Sequence, residues 1–261
     1  MLVNYTISVT TVHNNGRHSK PAIHIFRPGP PLRIVLIGKS GAGKSQSGNS
    51  ILGDVHISRA SECKALSTEH PREIKVIDTP AIFHSSRHET IITKDIQDCI
   101  VLSRPGPHAF LLVIQIGHFT KEEQNAVRAL QEIFGEKVKD HIIVLFTHGD
   151  QLDGQTIEEY VSSGSEGLQK LIRGCGGRFH VFDNKEREGS PQVAKLLKKI
   201  DEMVAANGGE HYSDEMYEET TRVMEETHLE WNSDPREIDR QLSFLPLLKT
   251  RVDQLHKTLS Q

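Results

Sequence analysis

Eight residues, Gly38–Ser45, constrain the fold of this chain more than any others. Their sequence, GKSGAGKS, matches the phosphate-loop pattern GxxxxGK[ST] at every position. The loop directly follows Leu32–Ile37, an apolar run typical of a buried strand. Glycines let successive backbone amides point inward, and with a helix N-terminus these amides form a nest for a phosphate. We therefore expect a strand, a phosphate loop and the start of a helix, in that order.

The rest of the chain alternates between apolar runs and amphipathic segments. Runs typical of strands lie at Ile74–Ile77, Ala109–Ile114, Ile142–Phe146 and Phe179–Phe182. Segments typical of helices lie at Thr90–Leu102, Thr120–Phe134, Ile157–Ile172 and Pro191–Ala206. This alternation predicts an α/β fold, with a mostly parallel sheet and helices on both of its faces.

Regions of different composition flank this regular part. Residues 1–31 end in a proline-rich stretch and predict a disordered or irregular leader. The regular domain is expected over 32–210, followed by a helical extension over 211–261. Residues 211–240 are acidic and predict a solvated helix, and beyond them Pro246 predicts a kink or two short helices. An apolar helical stripe in this extension packs either on the parent domain or on another chain; it consists of Ile238, Leu242, Leu245, Val252, Leu255 and Leu259.

Composition excludes several functional classes. Among 261 residues, 31 Lys plus Arg stand against 35 Asp plus Glu, a net charge of -4, which argues against a dedicated nucleic-acid binder. The three cysteines form no CxxC pair, so neither a zinc site nor a disulfide framework is predicted. The sequence contains no apolar run of about 18 residues and no evident secretory signal. We expect a cytoplasmic protein whose association with membranes, if any, is peripheral.

The phosphate loop predicts two roles in binding a nucleotide and Mg²⁺. Lys44 is expected to bridge the β- and γ-phosphates, and the hydroxyl of Ser45 to ligate Mg²⁺. Asp78 follows the next apolar strand in the sequence DTP, where a carboxylate holds Mg²⁺ through water. The alternative for Asp78 is a helix cap or a turn.

The segment THGD at 147–150 resembles the base-recognition pattern [NT]KxD, with His148 in place of Lys. The Asp150 carboxylate can accept from guanine N1–H and the 2-amino group, whereas adenine offers an acceptor at N1 and has no 2-amino group. Asn184 lies where a second base-contacting loop is expected. The residues predicted to contact the nucleotide are Gly38, Ser40, Gly41, Ala42, Gly43, Lys44, Ser45, Gln46, His148, Asp150 and Asn184, and those predicted to bind the metal are Ser45 and Asp78.

Longer segments resemble the GTPases of immunity-associated proteins (GIMAP or IMAP GTPases), in the septin-related branch of P-loop GTPases. The resemblance includes GKSGAGKSQSGNSILG at 38–53, a distinctive box at 102–135, LFTHGDQL at 145–152 and CGGRFHVFDNK at 175–185. NGGEHYSDEMYEE at 207–219 is similar to the end of that family's G domain. The resemblance covers roughly 32–220. It implies a G domain that binds GTP or GDP with Mg²⁺, dimerises in the presence of GTP and assembles scaffolds near intracellular membranes.

Two departures from the family pattern bear on nucleotide switching. The segment before DTP is short and lacks the family's γ-phosphate-sensing Thr in register, which leaves Ser58, Ser61 and Thr68 as substitutes. Ala81 stands where the family commonly has a Gly whose peptide turns toward the γ-phosphate. Nucleotide binding is therefore the firmer prediction.

No Gln or Glu follows DTP at the usual place for orienting water. His84 is either an exposed loop residue or a group that orients water, also in trans. The sequence predicts slow GTP hydrolysis, on the order of 10⁻⁴ s⁻¹ as in unassisted GTPases. The alternatives are a nucleotide-binding scaffold that does not hydrolyse GTP and a P-loop nucleotide kinase. A kinase would need an Arg-rich lid, and the sequence shows no such Arg cluster.

Overall fold

The computed structural model describes residues 6–10, 22–26, 31–53, 64–68, 72–82, 87–183, 191–229 and 235–259. In chain order the strands are β1 (Thr6–Thr10), β2 (Ala22–Phe26), β3 (Leu32–Ile37), β4 (Lys64–Thr68), β5 (Ile74–Asp78), β6 (Ala109–Gln115), β7 (Ile142–Thr147) and β8 (Phe179–Val181). Six of them form one sheet in the order β4-β5-β3-β6-β7-β8. All neighbours in it run parallel except β4, which is antiparallel to β5. The predicted α/β fold is confirmed.

The helices largely follow the predicted amphipathic segments. In chain order they are α1 (Lys44–Leu52), α2 (Glu89–Ser103), α3 (Lys121–Gln124), α4 (Ala126–Phe134), α5 (Ile157–Ser163), α6 (Glu166–Gly174), α7 (Pro191–Ala206), α8 (Glu215–Thr227), α9 (Pro235–Gln241) and α10 (Leu245–Leu259). Two predicted helices are each divided. One is broken at Asn125, and the other at Gly164, after which Ser165 caps α6 by accepting from the Leu168 amide.

The sheet separates two hydrophobic cores because side chains alternate along each strand. Val35 and Ile37 of β3 pack with residues of α2, α4 and α10 on one face. Ile34 and Leu36 pack with residues of α1 and α7 on the other. Since both faces are covered, the carboxyl ends of the parallel strands are where loops can hold a ligand.

The C-terminal extension packs on the first of these cores. Ile238, Leu242, Val252 and Leu255 of the predicted stripe are buried there. Pro246 was expected to cause a kink or to separate two short helices. The structure has a short helix, α9, and a 15-residue helix, α10; the chain breaks between them at 242–244, and Pro246 lies in the first turn of α10. The acidic stretch forms a helix as expected, but it is solvated on one side only, because the other face of α8 is buried; that face consists of Met216, Tyr217, Thr220, Val223 and Met224.

Two short strands occupy the region for which an irregular leader is expected. β1 and β2 pair antiparallel with each other and do not belong to the six-stranded sheet. Their sequences, TISVT and AIHIF, are rich in β-branched residues, which favour strands. In the described part of the chain, no helix is both long enough and apolar enough to cross a membrane.

Candidate nucleotide-binding site

The phosphate loop follows β3 and depends on glycine at its first position. Gly38 has φ +153°, and a Cβ atom there would lie 2.4 Å from the carbonyl oxygen of Val113 in β6. Gly43, with φ +95°, precedes α1, and a Cβ there would lie 3.1 Å from the Thr147 side chain. Larger residues are therefore excluded by close contact at Gly38 and by backbone strain at both positions.

Lys44 lies at the start of α1 with its ammonium group folded back across the loop. Its Nζ donates to the carbonyl oxygens of Gly38, at 2.8 Å, and Lys39, at 2.9 Å. Burial lowers the pKa of Lys44 to about 8, while the Asp78 carboxylate acts in the opposite direction. The ammonium is thus still mostly protonated at neutral pH and is held within the loop by these two carbonyl oxygens.

Ser45 and Asp78, the two predicted metal ligands, lie together. The Ser45 hydroxyl donates to Asp78 Oδ2 at 2.6 Å, and Asp78 is fully buried at the end of β5. The next residue, Thr79, donates from its hydroxyl to the Leu36 carbonyl oxygen at 2.7 Å, which fixes the DTP segment against β3. A hydroxyl and a carboxylate side by side are the oxygen ligands that Mg²⁺ prefers.

A hydrogen bond that no sequence motif marks links the predicted base-recognition segment to the phosphate loop. Thr147, the last residue of β7, donates from its hydroxyl to the Ala42 carbonyl oxygen at 2.8 Å. His148 then adopts a left-handed conformation with φ +61°, and its Nδ1 lies 3.1 Å from the Thr147 hydroxyl oxygen. The backbone turns sharply here and carries Gly149 toward β8.

Asp150 lies in a 3₁₀ turn, Gly149–Leu152, that packs on the end of β8. The Gly149 amide donates to the Phe182 carbonyl oxygen at 3.0 Å, and a Cβ at Gly149 would lie 3.0 Å from Val181 Cγ2. Glycine thus permits the close approach of this turn to β8. Asp150 is half-buried in this turn.

The loop predicted to make a second contact with the base is described only at its start. Gln192 of α7 holds the backbone of Asp183 from both sides, accepting from its amide at 2.8 Å and donating to its carbonyl at 3.2 Å. Asn184, the predicted contact, lies outside the described residues. Of the other predicted contacts, Ser40, Gly41 and Gln46 are exposed at the loop, while Ala42 is buried.

One substitute for the missing γ-phosphate-sensing Thr is excluded by strand register. In β4, Lys64 pairs with Asp78, whereas Thr68 pairs with Ile74 at the other end of β5. Four residues of strand put Thr68 about 13 Å from the site. Ser58 and Ser61, the other substitutes, and His84 lie outside the described residues.

Arg87, which belongs to none of the sequence motifs, connects the segment after DTP to α2. Its Nη1 donates to the Ala81 carbonyl oxygen at 3.4 Å and lies 2.6 Å from Asp95 Oδ2. Asp95 is 6% exposed, so this ion pair is better shielded from solvent than a surface pair. The position of Ala81 is therefore tied to α2.

The site combines a phosphate loop, a buried carboxylate and the turn predicted to recognise the base, all at the carboxyl ends of the parallel strands. A family model described as "AIG1 family" matches residues 32–230. The chain belongs to the AIG1 family. The family membership predicted from the extended loop and the central box is thereby confirmed.

Curated relatives of this AIG1 chain occur in a plant and in human. It is 37% identical over 205 residues to "Immune-associated nucleotide-binding protein 9" of Arabidopsis thaliana, with 73% of this chain and 60% of that protein covered. It is 37% identical over 192 residues to "GTPase IMAP family member 8" of Homo sapiens, with 69% and 29% covered. The chain thus spans less than two thirds of the length of these relatives.

Solved structures support the fold of the AIG1 chain. Toc33 from Arabidopsis thaliana in complex with GDP and Mg²⁺ has a TM-score of 0.55 at 21% identity, covering 68% of this chain and 86% of that chain. Another structure, described as showing that dimerization is important for the GTPase activity of chloroplast translocon components atToc33 and psToc159, has a TM-score of 0.52 at 22% identity, covering 66% and 82%. At these identities the likeness establishes a P-loop G-domain architecture.

Proposed function

We propose that this AIG1-family protein binds GTP and GDP with Mg²⁺ and hydrolyses GTP slowly. The observation that carries the proposal is that three loops, which follow β3, β5 and β7, are joined by hydrogen bonds at the carboxyl ends of these strands. The Lys44 ammonium donates to the Gly38 carbonyl within the phosphate loop. The Ser45 hydroxyl donates to the Asp78 carboxylate, and the Thr147 hydroxyl donates to the Ala42 carbonyl. The relatives named as nucleotide-binding and GTPase proteins support the same assignment, as well as a role in immunity.

Each group has a distinct task in this proposal. Lys44 and the loop amides neutralise the phosphate charge, while Ser45 and Asp78 would hold Mg²⁺. Bound Mg²⁺ neutralises charge on the β- and γ-phosphate oxygens. Asp150 accepts the two guanine donors, and Gly149 lets its turn pack on β8. His148 and Asn184 belong to the same proposed base site.

Slow hydrolysis follows from the residues after Asp78. The described ones are Thr79, Pro80, Ala81 and Ile82; none is a Gln or Glu, and the Thr79 hydroxyl is bonded to the Leu36 carbonyl oxygen. The exclusion of Thr68 as a γ-phosphate sensor favours a second candidate, a scaffold that holds GTP or GDP without hydrolysing it. Both candidates require guanine-nucleotide binding and differ in phosphate release.

We propose further that GTP promotes assembly of a dimer through the nucleotide face. The carbonyl of Ala81 is joined through Arg87 to Asp95 on α2, and α10 packs on the same helix. His256 Nδ1 of α10 lies 4.0 Å from Glu89 Oε1 at the start of α2. A change at Ala81 on GTP binding would therefore reach the C-terminal helices. The solved structure whose description states that dimerization is important for the GTPase activity of atToc33 and psToc159 supports this part by similarity.

The test combines measurements of nucleotide affinity, of phosphate release from GTP, and of the mass of the protein assembly in solution. We expect micromolar or tighter binding of GDP and GTP, weaker binding of ATP, and a slow release of phosphate from radiolabelled GTP alone. Binding without release would leave the scaffold candidate, and a preference for ATP would overturn guanine recognition. Sedimentation with GDP and with a non-hydrolysable GTP analogue should give monomer and dimer, respectively. Identical monomer mass in both states contradicts nucleotide-dependent assembly.

A further inference from the structure

Ala81, three residues after Asp78, lies next to the phosphate loop. Gly38 and Lys39 of the loop line one small cavity together with Ala81, and the other lining residues are Leu112, Glu122, Glu123 and Ala126. The carbonyl oxygens of Gly38 and Lys39 are also the acceptors that hold the Lys44 ammonium. Because Lys44 is proposed to bridge the β- and γ-phosphates, Ala81 lies beside the part of the loop that a γ-phosphate would contact.

The backbone on either side of Ala81 is fixed in place. The Thr79 hydroxyl donates to the Leu36 carbonyl oxygen at 2.7 Å, and Pro80 has a restricted φ. On the other side, Ile82 is 3% exposed and belongs to the α2-side core. The freedom that remains is mainly the rotation of the two peptide groups that flank the Ala81 Cα atom.

The backbone amide of Ala81 is a donor that has no acceptor among the residues that the structure describes. Ala81 is half-buried, and backbone donors shielded by protein are nearly always paired with protein, water or ligand. A γ-phosphate oxygen beside Lys44 would accept from this amide, as phosphates do from successive backbone amides in a nest.

Arg87 holds the carbonyl group of the same residue. Its Nη1 donates to the Ala81 carbonyl oxygen at 3.4 Å and lies 2.6 Å from Asp95 Oδ2 on α2. The guanidinium carries several donors in one rigid plane, so Arg87 can bond Ala81 and Asp95 at the same time. With the neighbouring residues fixed, a held carbonyl restricts the rotation of Ala81 and thereby of its amide.

We propose that Arg87 is a positioning residue that presents the Ala81 amide to the γ-phosphate and so strengthens the binding of GTP relative to GDP. The inference rests on the proposed guanine-nucleotide function and adds a sensor of the γ-phosphate to it. GDP has no γ-phosphate, so the Ala81 amide distinguishes the two nucleotides. The sensor is a backbone group, which is consistent with the exclusion of the Thr68 side chain by the register of β4.

The first experiment compares two affinities by calorimetry in excess Mg²⁺, those for GDP and for guanosine 5′-(β,γ-imido)triphosphate. Arg87→Ala should bind the triphosphate at least about fivefold more weakly than wild type, with GDP affinity changed less than about twofold. Arg128→Ala is the matched control, because it breaks an exposed pair with Glu132 on α4 and should leave both affinities unchanged. Arg87→Ala that weakens both nucleotides equally, or neither, overturns the proposal.

A second variant, Arg87→Lys, separates the carbonyl contact from the ion pair. Lysine keeps a positive charge beside Asp95, so the unfolding temperature should stay close to that of wild type. A single ammonium lacks the planar fork that reaches both partners, so the preference for the triphosphate should fall as it does in Arg87→Ala. A wild-type ratio of the two affinities in Arg87→Lys overturns the role of the Ala81 contact.

The failure of this inference is distinguishable from the failure of the proposed function. If wild type binds both nucleotides and Arg87→Ala keeps the wild-type ratio of affinities, the Arg87 assignment is wrong and guanine-nucleotide binding stands. If wild type binds neither nucleotide, both are wrong.

The amide itself gives a spectroscopic readout in the full chain labelled with ¹⁵N-alanine. The Ala81 signal is assigned by its loss in Ala81→Gly. In wild type, its amide proton should move downfield with the imido triphosphate relative to GDP, because a new hydrogen bond forms, and the shift should be smaller in Arg87→Ala. An Ala81 signal at the same position with both nucleotides in wild type overturns the proposal.

Discussion

The hydroxyl of Thr147, at the end of β7, donates to the carbonyl oxygen of Ala42 in the phosphate loop across 2.8 Å. Thr147 is fully buried, and the two residues are 105 positions apart in the chain. The bond joins the segment proposed to recognise guanine to the segment proposed to bind phosphates. This hydrogen bond therefore supports the position of both segments at once.

Replacing Thr147 with Val tests that support. The variant keeps the shape of the side chain but leaves the buried Ala42 carbonyl without this donor, so the free energy of unfolding should fall by about 1–2 kcal/mol. GDP affinity should fall several-fold, as measured by calorimetry. Thr250→Val on α10 is the control, because that hydroxyl bonds an exposed turn of its own helix. Equal GDP affinity for the two variants would show that the Thr147 bond does not support the site.

Lys44→Ala should abolish nucleotide binding. The ammonium makes two hydrogen bonds within the loop and is proposed to bridge phosphates, and bonds to charged groups contribute about 1.5–3 kcal/mol each. We expect GDP affinity to fall at least about a hundredfold. Lys170→Ala, in an exposed pair with Glu166 on α6, serves as the control. Unchanged GDP binding by Lys44→Ala would contradict the phosphate-loop assignment.

Asp150→Asn tests guanine recognition. The amide can pair with the 2-oxo group of xanthine but cannot accept both guanine donors, so GTP should bind more weakly and xanthosine triphosphate more tightly. Asp153→Asn is a matched control, since Asp153 is exposed next to the same turn and Asn tolerates its left-handed φ of +47°. A wild-type preference for GTP in Asp150→Asn would assign base recognition elsewhere.

Stability should fall as the pH drops below about 6.5, the ordinary pKa of histidine. Burial lowers the pKa of folded His108 to about 3, so the folded state binds its proton less readily than the unfolded state. Stability from this group is complete above pH 6.5 and is lost progressively toward pH 3, by up to about 2 kcal/mol at pH 5. Asp214 acts in the opposite direction, because burial raises its pKa to about 6.

Urea unfolding at pH 7 and pH 5 measures this effect. His108→Gln keeps an acceptor for the Arg33 amide, which donates to His108 Nδ1 at 3.1 Å, and should reduce the pH dependence. His228→Asn, at an exposed left-handed position that Asn tolerates, should leave it unchanged. A pH dependence equal in wild type and His108→Gln would assign the loss of stability to other groups.

Arg251→Ala should loosen the C-terminal helices from the G domain. Arg251 of α10 donates to the Ile133 carbonyl oxygen of α4 at 2.7 Å and also bonds Glu215 at the start of α8. We expect a loss of about 1–3 kcal/mol in the free energy of unfolding. Arg222→Ala, which breaks an exposed pair with Glu226, should cost less than about 1 kcal/mol. Equal losses would show that Arg251 contributes no more than a surface charge.

Local patterns predicted much of the fold because buried parallel strands consist of continuous apolar runs. β4 was not predicted, since its sequence KALST lacks such a run and pairs on one side with β5. The division at Asn125 also has no strong sequence signal, because Thr120 and Glu123 form a capping box that favours one continuous helix.

The candidate site was predictable where each motif is local and contiguous. The phosphate loop, DTP and THGD each follow an apolar strand, so the parallel sheet brings them to one edge. Thr147, Gln192 and Arg87 were missed as supporting residues because their partners include backbone atoms of distant segments. Such pairs leave no spacing pattern in the sequence, and the three-dimensional fold is needed to find them.

Tyr212 has a practical consequence for anyone who shortens this protein. Its ring packs among Phe110, Phe134 and His141, and its hydroxyl bonds the Phe134 carbonyl oxygen. A fragment that ends at the sequence-predicted boundary, residue 210, would lack Tyr212 and would expose these three rings to water. The fragment would also lack Tyr217, which stacks on Phe134, so more of the Phe134 ring would be exposed. Recombinant fragments for crystallisation or labelling should therefore continue through α10, and protease sites belong outside residues 211–259.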